Sequence, residues 1–279
     1  MTTQHLDDKL TALRRILVDL KSVAVAFSGG VDSTLVLKVA LDTLGRGGVV
    51  AVTGRSASLG ADEFAEACRL AELLAAEHVV LDTDEFENPA YLSNPQNRCY
   101  FCKTTLYTHL DRLVAERGLA AIVNGINADD LSDYRPGIQA AREHAVLCPL
   151  AKAGLTKVDV RELSRRLGLP TFDKPAGPCL SSRVPYGEAI TPEKLRQIEA
   201  AEAFLHELGF RECRVRHHDN LARIEVPPSG IDRLARSDLR IRIEERFRQL
   251  GFQYVTLDLR GFRSGSMNEV ITLGFGDGS

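Results

Sequence analysis

A loop with two serines and two glycines stands between an apolar stretch and a helix-like stretch, in the sequence AFSGGVDST at residues 26–34. Gly29 and Gly30 allow the backbone N–H groups to turn toward a bound anion, and the hydroxyls of Ser28 and Ser33 add hydrogen bonds. The positive end of the following helix favours negative charge at the same place. The loop therefore predicts a phosphate-binding site, and its spacing is neither that of a Walker A loop nor that of a dinucleotide-binding glycine motif.

Asp32 lies within the same loop. A carboxylate beside a phosphate chain is tolerated when a cation stands between them, so the charge pattern implies magnesium. The alternative is an ordinary glycine turn in which Asp32 or Ser33 caps the helix.

Three of the six cysteines could form a second chemical centre. Cys99 and Cys102 are spaced so that both thiolates can reach one metal, and Cys179 lies in a segment rich in Pro, Gly and Ser. Three thiolates can hold zinc with an open position, or an iron–sulfur cluster with one unligated iron. A redox C-x-x-C pair and three unconnected thiols are the competing interpretations. The other cysteines lie on apolar stretches and are predicted to be core residues: Cys68, Cys148 and Cys213.

The elements around these residues alternate between strand-like and helix-like patterns. Such alternation predicts an α/β fold with a parallel sheet and helices on both faces, whose ligands bind at the carboxyl ends of the strands. The predicted strands are 23–27, 49–53, 78–82 and 120–125, and the predicted helices between and after them include 34–44, 61–76, a helix following Cys102, and 156–167.

From Thr171 onward the sequence changes in character, and we predict a domain boundary between residues 1–170 and 171–279. The second part reads as a smaller α+β domain with helices at 192–208 and 239–250. Between Arg183 and Arg263 it uses Arg heavily and has a single lysine, Lys194, a bias that suits bidentate binding of phosphate or carboxylate. Surface ion pairs are the alternative for any one of these arginines.

Length and composition set the class of protein. With 279 residues, 44% of them hydrophobic, the chain can form one large domain or two ordinary ones. The first residues are charged, and no apolar run approaches membrane-spanning length, so we expect a cytoplasmic protein with no membrane partner. A net charge of −3 argues against nucleic acid as a partner. Six cysteines in such a chain are expected to be thiols or metal ligands instead of disulfides.

The string SGGVDS resembles the pyrophosphate loop of the ATP pyrophosphatase superfamily, whose domains have the adenine nucleotide alpha hydrolase-like fold. In that superfamily ATP is cleaved between its α and β phosphates, and an acceptor on the substrate is adenylated. The resemblance implies that one set of residues holds pyrophosphate with Mg²⁺: Ser28, Gly29, Gly30, Asp32 and Ser33. It implies that the segment TGRS contacts adenosine through Thr53, Arg55 and Ser56.

Five distant strings narrow the resemblance: AFSGGVDSTLVLKVALDTLG, DDLSDYRPG, CLSSRVPYGEAIT, RVRHHDNLARIEVP and YVTLDLRGFRSGSMN. Together they are similar to the LarE-type sulfur transferase family of nickel-pincer nucleotide synthesis, from about residue 20 to residue 268. Such enzymes adenylate a carboxylate of pyridinium-3,5-biscarboxylic acid mononucleotide and convert it to a thiocarboxylate. One branch sacrifices the sulfur of a single cysteine, and another carries sulfide on a 4Fe-4S cluster held by three cysteines.

The resemblance implies a role for further residues. The three-cysteine arrangement favours the cluster branch, with Cys99, Cys102 and Cys179 as ligands and Cys179 at the position of the sacrificial cysteine. Lys103 and Arg183 would neutralise charge at the acyl phosphate, although Lys103 also suits a helix surface. The residues matched to substrate binding are Arg135, Glu202, Arg214, Arg216 and Arg263.

Several alternatives remain open at this stage. They are sacrificial transfer from Cys179, a tRNA thiolase of the same superfamily, an ammonia-using synthetase, and a non-catalytic nucleotide sensor with structural zinc. The expected partners are a small nucleotide substrate and an unidentified sulfur donor, and the family suggests a homo-oligomer.

Overall fold

The computed structural model describes residues 3–132, 136–175 and 177–263. The chain divides into two compact units, the first formed by Met1–Tyr91 and Gln96–Gly177 and the second by Leu92–Pro95 and Pro178–Ser279. The domain boundary predicted after residue 170 stays a prediction.

The first unit is built on a four-stranded parallel sheet. Its strands lie in the order β3-β2-β1-β4, so β1 is flanked by β2 and β4. The strands are β1 (Val23–Ala26), β2 (Val49–Arg55), β3 (Glu77–Asp82) and β4 (Ala121–Val123). The helices are α1 (Thr3–Leu20), α2 (Val31–Leu44), α3 (Ala61–Leu73), α4 (Pro89–Leu92), α5 (Arg98–Arg117), α6 (Pro136–Glu143), α7 (Pro149–Lys152) and α8 (Lys157–Arg166), and α4 ends at the first residue of the second unit.

Both faces of this sheet are covered. Val23 and Val25 of β1 belong to a buried cluster with apolar side chains of α1, α2 and α8. Ala24, between them, belongs to a different cluster with side chains of α5 and α6. Because successive strand residues point to opposite faces, the apolar run of β1 is buried on both sides. The predicted parallel α/β sheet with helices on both faces is confirmed.

The second unit has its own sheet and its own core. Strands β5 (Arg214–His218) and β6 (Leu221–Glu225) pair antiparallel, and β7 (Tyr254–Leu257) pairs parallel with β6. Phe210, Phe247 and Phe252 belong to one buried apolar cluster with residues of β5 and β6. The helices are α9 (Pro192–Glu207), α10 (Pro228–Ala235) and α11 (Ser237–Gln249). The predicted smaller α+β part is therefore confirmed as a fold class.

The structure corrects several local predictions. Helix α5 begins at Arg98, so Cys99 and Cys102 are its second and fifth residues and do not lie ahead of it. The prediction that Cys68 and Cys148 are core residues is wrong, since both are partly exposed; only Cys213 of that group is buried. Cys148 stands at the N-cap of α7 instead of within a strand, and Cys68 lies at the edge of the buried face of α3.

Along the described residues, no helix has both the length and the apolar character needed to cross a bilayer.

Candidate active site

The serine–glycine loop connects β1 to α2. Gly30 is the N-cap of α2, with extended backbone angles of φ −80° and ψ 165°, and it provides no side-chain cap. The first-turn N–H groups of α2 therefore receive no capping oxygen from this residue, which suits an anion at the helix N-terminus. Gly30, and not Asp32 or Ser33, is thus the residue in the capping position.

The two serine hydroxyls brace the loop. Ser28 N donates to Ser33 Oγ at 3.3 Å, the two Oγ atoms lie 3.2 Å apart, and Ser33 Oγ donates to Gly30 O at 3.2 Å. Hydroxyls can donate and accept at once, so both can turn to a phosphate oxygen without leaving a buried group unpaired.

Glycine is required at one position within the loop and at one position beside it. Gly29 has a positive φ of 68°, and a Cβ on it would lie 3.1 Å from Cα of Ala67 in α3. Gly125 follows β4, and a Cβ there would lie 2.8 Å from the backbone nitrogen of Ser33. The end of β4 thus packs directly against the first turn of α2, a contact that the sequence motif does not announce.

Asp32 is held by two residues from distant parts of the chain. Its Oδ1 accepts from Asn127 Nδ2 at 3.1 Å, and its Oδ2 accepts from Lys157 Nζ at 2.5 Å. Lys157 is the first residue of α8, and its backbone N donates to Asp129 Oδ2 at 2.8 Å. A single carboxylate fits a Mg²⁺ that arrives on substrate phosphates, and here it fits once the lysine ammonium has moved off Oδ2.

A second lysine contacts the other side of the loop. Lys174 Nζ donates to Gly29 O at 3.3 Å and to Glu63 Oε2 at 2.8 Å. Glu63 lies in the first turn of α3. The first-turn carboxylates of α2 and α3 are therefore each paired with a lysine from a later part of the chain.

The residues predicted to contact adenosine lie at the carboxyl end of β2. Thr53 is buried, its Oγ1 donates to Phe27 O at 2.8 Å, and the same oxygen lies 2.9 Å from His78 Nε2. Arg55 is exposed and forms a two-bond pair with Asp82, which lowers the pKa of that carboxyl.

Ser56 donates to Glu85 Oε1 at 2.5 Å. Glu85 is a buried carboxylate that sequence reasoning missed, and Ser58 Oγ also donates to its Oε1, at 3.3 Å. These bonds fix the Ser56 side chain beside β2, and its role with adenosine stays a prediction.

Two of the three predicted cluster ligands share one helical turn. Cys99 is exposed and Cys102 half-buried, and three-residue spacing puts both on one face of α5. Lys103 is half-buried, and its Cγ would lie 3.2 Å from a Cβ on Gly137 of α6, so its stem packs on that helix. Within the described ranges, no group of three or more His, Cys, Asp and Glu side chains is arranged to hold a metal ion.

Cys179 is exposed and precedes a short 3₁₀ helix, Leu180–Arg183, in the second unit. Arg183 is buried and fixes the backbone there, because its Nη1 donates to Pro178 O at 2.5 Å and to Cys179 O at 2.9 Å. Its Nε and Nη2 donate to the two carboxylate oxygens of Glu202 at 3.0 and 2.9 Å. Glu202 Oε1 also accepts from Val215 N at 2.9 Å, which ties the pair to β5.

Two further predicted arginines lie on β5. Arg216 donates to Glu225 Oε2 at 2.8 Å and to Ser182 O at 3.0 Å. Burial, helped by the nearby charge of Arg183, lowers the pKa of Arg214, and the Arg214 guanidinium stands 5.2 Å from the ring centre of Phe262.

Arg263 donates to Gly261 O at 3.0 Å and lies 3.4 Å from Asp258 Oδ1. The second unit therefore brings Arg183, Arg214, Arg216 and Glu202 together, while Arg135 lies outside the described residues.

A parallel sheet whose first strand runs into a hydroxyl-braced SGGVDS loop at the N-terminus of a helix defines the ATP pyrophosphatase, or PP-loop, class of domain. Sequence comparison then gives the family within that class.

No protein-family model matches the chain. An uncharacterised protein of Synechocystis sp. is 48% identical over 96% of this chain and 99% of its own. The pyridinium-3,5-bisthiocarboxylic acid mononucleotide synthase of Lactiplantibacillus plantarum is 43% identical over 95% of each chain. An uncharacterised protein of Methanocaldococcus jannaschii is 27% identical over 88% of this chain and 92% of its own. The chain belongs to the family of this synthase, the LarE-type family, and is an enzyme.

Proposed function

We propose that this enzyme uses ATP to activate a carboxylate of pyridinium-3,5-biscarboxylic acid mononucleotide and converts it to a thiocarboxylate. The observation that carries the proposal is the 43% identity, over 95% of the chain, to a relative named for the bisthiocarboxylic acid product. The hydroxyl-braced loop between β1 and α2 supports the use of ATP, because its backbone and hydroxyl donors suit a phosphate chain.

The chemistry explains why such an enzyme needs ATP. A carboxylate oxygen is a poor leaving group at neutral pH, and AMP is a good one. In the proposed first step a substrate carboxylate oxygen attacks the α phosphorus, and the electron pair of the broken P–O bond leaves with pyrophosphate. Ser28 and Ser33 would bind the pyrophosphate, and Asp32 would hold the Mg²⁺ that neutralises it.

Sulfur then replaces the activated oxygen, and AMP departs. We assign Cys99, Cys102 and Cys179 as ligands of a 4Fe-4S cluster, since thiolates are its usual ligands and two of these thiols are exposed and one half-buried. When bound, the cluster would supply sulfide from its unligated iron. Cys99 and Cys102 belong to the first unit and Cys179 to the second.

We assign Arg183 and Glu202 to positioning and not to direct contact with the substrate. Both side chains are buried, with 5% and 8% of their side-chain surface exposed, and they are engaged with each other. Arg183 also holds the carbonyls of Pro178 and Cys179, which belong to the two peptide bonds on either side of Cys179. Lys103 remains the candidate for the acyl phosphate, and the candidates for the substrate's phosphate and carboxylates are Arg135, Arg214, Arg216 and Arg263.

The test is a product assay under anaerobic conditions. Protein with reconstituted cluster, ATP, Mg²⁺, sulfide and the biscarboxylic mononucleotide should release AMP and pyrophosphate and give a product in which sulfur replaces oxygen, resolved by mass spectrometry. Cys99→Ala and Cys179→Ala should each abolish repeated turnover, whereas Cys68→Ala should retain it.

Two outcomes would change the account. If Cys99→Ala keeps repeated turnover, the cluster assignment fails. If wild-type protein instead performs a single turnover that converts Cys179 to dehydroalanine, sulfur comes from that side chain. A protein that forms no sulfur-containing product under any of these conditions contradicts the proposed function.

A further inference from the structure

Two lysines lie beside the phosphate loop, and the sequence motif of the loop includes neither of them. Lys157 Nζ lies 2.5 Å from Asp32 Oδ2, and Lys174 Nζ lies 2.8 Å from Glu63 Oε2. The carboxylates occupy equivalent places in the fold, since Asp32 is in the first turn of α2 and Glu63 is in the first turn of α3. Each lysine comes from a segment more than a hundred residues further along the chain.

Both ammonium groups lie beside the loop. Lys174 Nζ lies 3.3 Å from the carbonyl oxygen of Gly29, a residue of the loop itself. Lys157 is bonded to the carboxylate of Asp32, the second residue of the helix that begins at the loop. The side chains of Lys157 and Lys174 are 36% and 19% exposed, so they are partly screened from solvent but can still reorient.

The segment that carries Lys174 also packs on its carboxylate partner. A Cβ on Gly177 would lie 3.0 Å from Glu63 Oε1, so the backbone three residues beyond Lys174 rests against Glu63. The backbone of Lys174 is itself held, because its N donates to Thr171 O at 3.1 Å and its O accepts from Arg161 Nη2 at 2.8 Å.

The electrostatics of these pairs favour an exchange of partners. A carboxylate at the N-terminus of each helix would repel a polyphosphate, and the paired ammonium cancels that charge. An ammonium has three donors and no acceptor, so it can move to a phosphate oxygen while keeping a carboxylate contact. Phosphates carry more negative charge than a carboxylate, and charge-assisted bonds to them are strong. Mg²⁺ arriving with the nucleotide can replace Lys157 at Asp32.

We propose that Lys157 and Lys174 are ligands of the pyrophosphate half of ATP, held on Asp32 and Glu63 until the nucleotide binds. This inference rests on the proposed function only in taking ATP as the nucleotide. As a substrate carboxylate oxygen bonds to the α phosphorus and the bridging P–O bond breaks, negative charge builds on the departing pyrophosphate. The two ammonium groups stabilise that charge, and they make no contact that AMP needs.

The test is equilibrium binding by calorimetry, with three probes: a non-cleavable α,β-methylene analogue of ATP, magnesium pyrophosphate, and AMP. Lys157→Ala and Lys174→Ala should each weaken the ATP analogue and pyrophosphate by about 10- to 100-fold, the usual loss for a charge-assisted hydrogen bond. Both variants should bind AMP as wild type does, and Lys157→Arg should recover part of the affinity. Lys38→Ala is the matched control, because Lys38 pairs with Asp42 on the same helix α2 and should leave all three affinities unchanged.

Equal weakening of AMP and of the ATP analogue would overturn the proposal, because it would show general damage to the loop. Unchanged affinities in both variants would also overturn it. Circular dichroism checks that each variant is folded. This binding test does not depend on sulfur transfer. If wild-type protein binds the ATP analogue but makes no thiocarboxylate, the proposed function is contradicted. The affinities of the lysine variants would still decide whether the two lysines bind pyrophosphate.

Discussion

Replacing Arg183 by Met should destabilise the protein strongly. The change removes two bonds to Glu202 and the bonds to the carbonyls of Pro178 and Cys179. It leaves Glu202 without its paired charge although the carboxylate stays buried, with only 8% of its side-chain surface exposed. Breaking a buried pair from one side costs about 3–5 kcal/mol, so we expect the free energy of unfolding to fall by about that amount.

Urea unfolding followed by circular dichroism measures this change. Arg196→Met is the matched control, since Arg196 pairs with Glu193 on the surface of α9, where the side chains are 66% and 68% exposed. Exposed pairs contribute about 0–1 kcal/mol, so the control should unfold almost as wild type does.

A double variant separates the buried charge from the other lost contacts. Glu202→Gln keeps an oxygen for the N–H of Val215 and removes the charge, so Arg183→Met/Glu202→Gln should be more stable than Arg183→Met. Costs that simply add would refute the buried-charge reasoning. If Arg183→Met unfolds as wild type does but abolishes sulfur transfer, Arg183 contacts the reacting group, as the sequence resemblance implies, and does not act as a support.

Three further predictions follow from the geometry. Gly125→Ala should weaken ATP binding and lower the free energy of unfolding by about 1–3 kcal/mol, because the new Cβ would lie 2.8 Å from the backbone nitrogen of Ser33. Calorimetry measures the first effect and urea unfolding the second. Gly47→Ala is the control and should change neither, because a Cβ on Gly47 would have nothing within 4 Å. Burial is the main cause that lowers the pKa of His217 from 6.5 to about 4. Between these pH values the unfolded state binds more protons than the folded state does. The free energy of unfolding should therefore fall, by at most about 3 kcal/mol, as the pH drops from about 6.5 toward about 4. Urea unfolding at several pH values should show a flatter profile for His217→Gln, and an unchanged profile would contradict the assignment. Burial raises the pKa of Cys213 to about 12, whereas Cys179 is exposed. Treatment with iodoacetamide followed by peptide mass spectrometry should therefore find Cys179 modified in the native protein and Cys213 modified only after unfolding. Equal rates of modification of the two cysteines in the native protein would contradict this burial.

The phosphate loop could be predicted because its determinants are local. An apolar strand, two glycines, two serines and a helix follow one another within a few residues, and each choice agrees with the others. The alternation of strands and helices predicted the parallel sheet for the same reason. The lysines that contact the loop could not be predicted. Lys157 lies 125 residues along the sequence from Asp32 and Lys174 lies 145 residues from Gly29, and neither lysine belongs to a repeating pattern.

The environment of Glu202 could have been predicted more closely. It lies four residues after Ile198 and three before Leu205, both of which are buried, so helical periodicity places it on the buried face of α9. A carboxylate there needs a charged partner, and the identity of that partner depends on the fold, which brings in Arg183 from the 3₁₀ helix nineteen residues earlier. The start of α5 was missed although Asn97, at its N-cap, is a residue type favoured there, because the helix was predicted from the apolar residues that follow Cys102.

The most direct test of the central claim follows the oxygen that leaves the substrate. The biscarboxylic mononucleotide is labelled with oxygen-18 in its carboxylates and turned over with ATP, and the phosphate-containing products are examined by mass spectrometry. If a carboxylate oxygen attacks the α phosphorus and sulfur then displaces AMP, the released AMP carries one labelled oxygen and the pyrophosphate carries none. Label in inorganic phosphate or pyrophosphate, or unlabelled AMP beside a sulfur-containing product, would contradict activation of the carboxylate by adenylation.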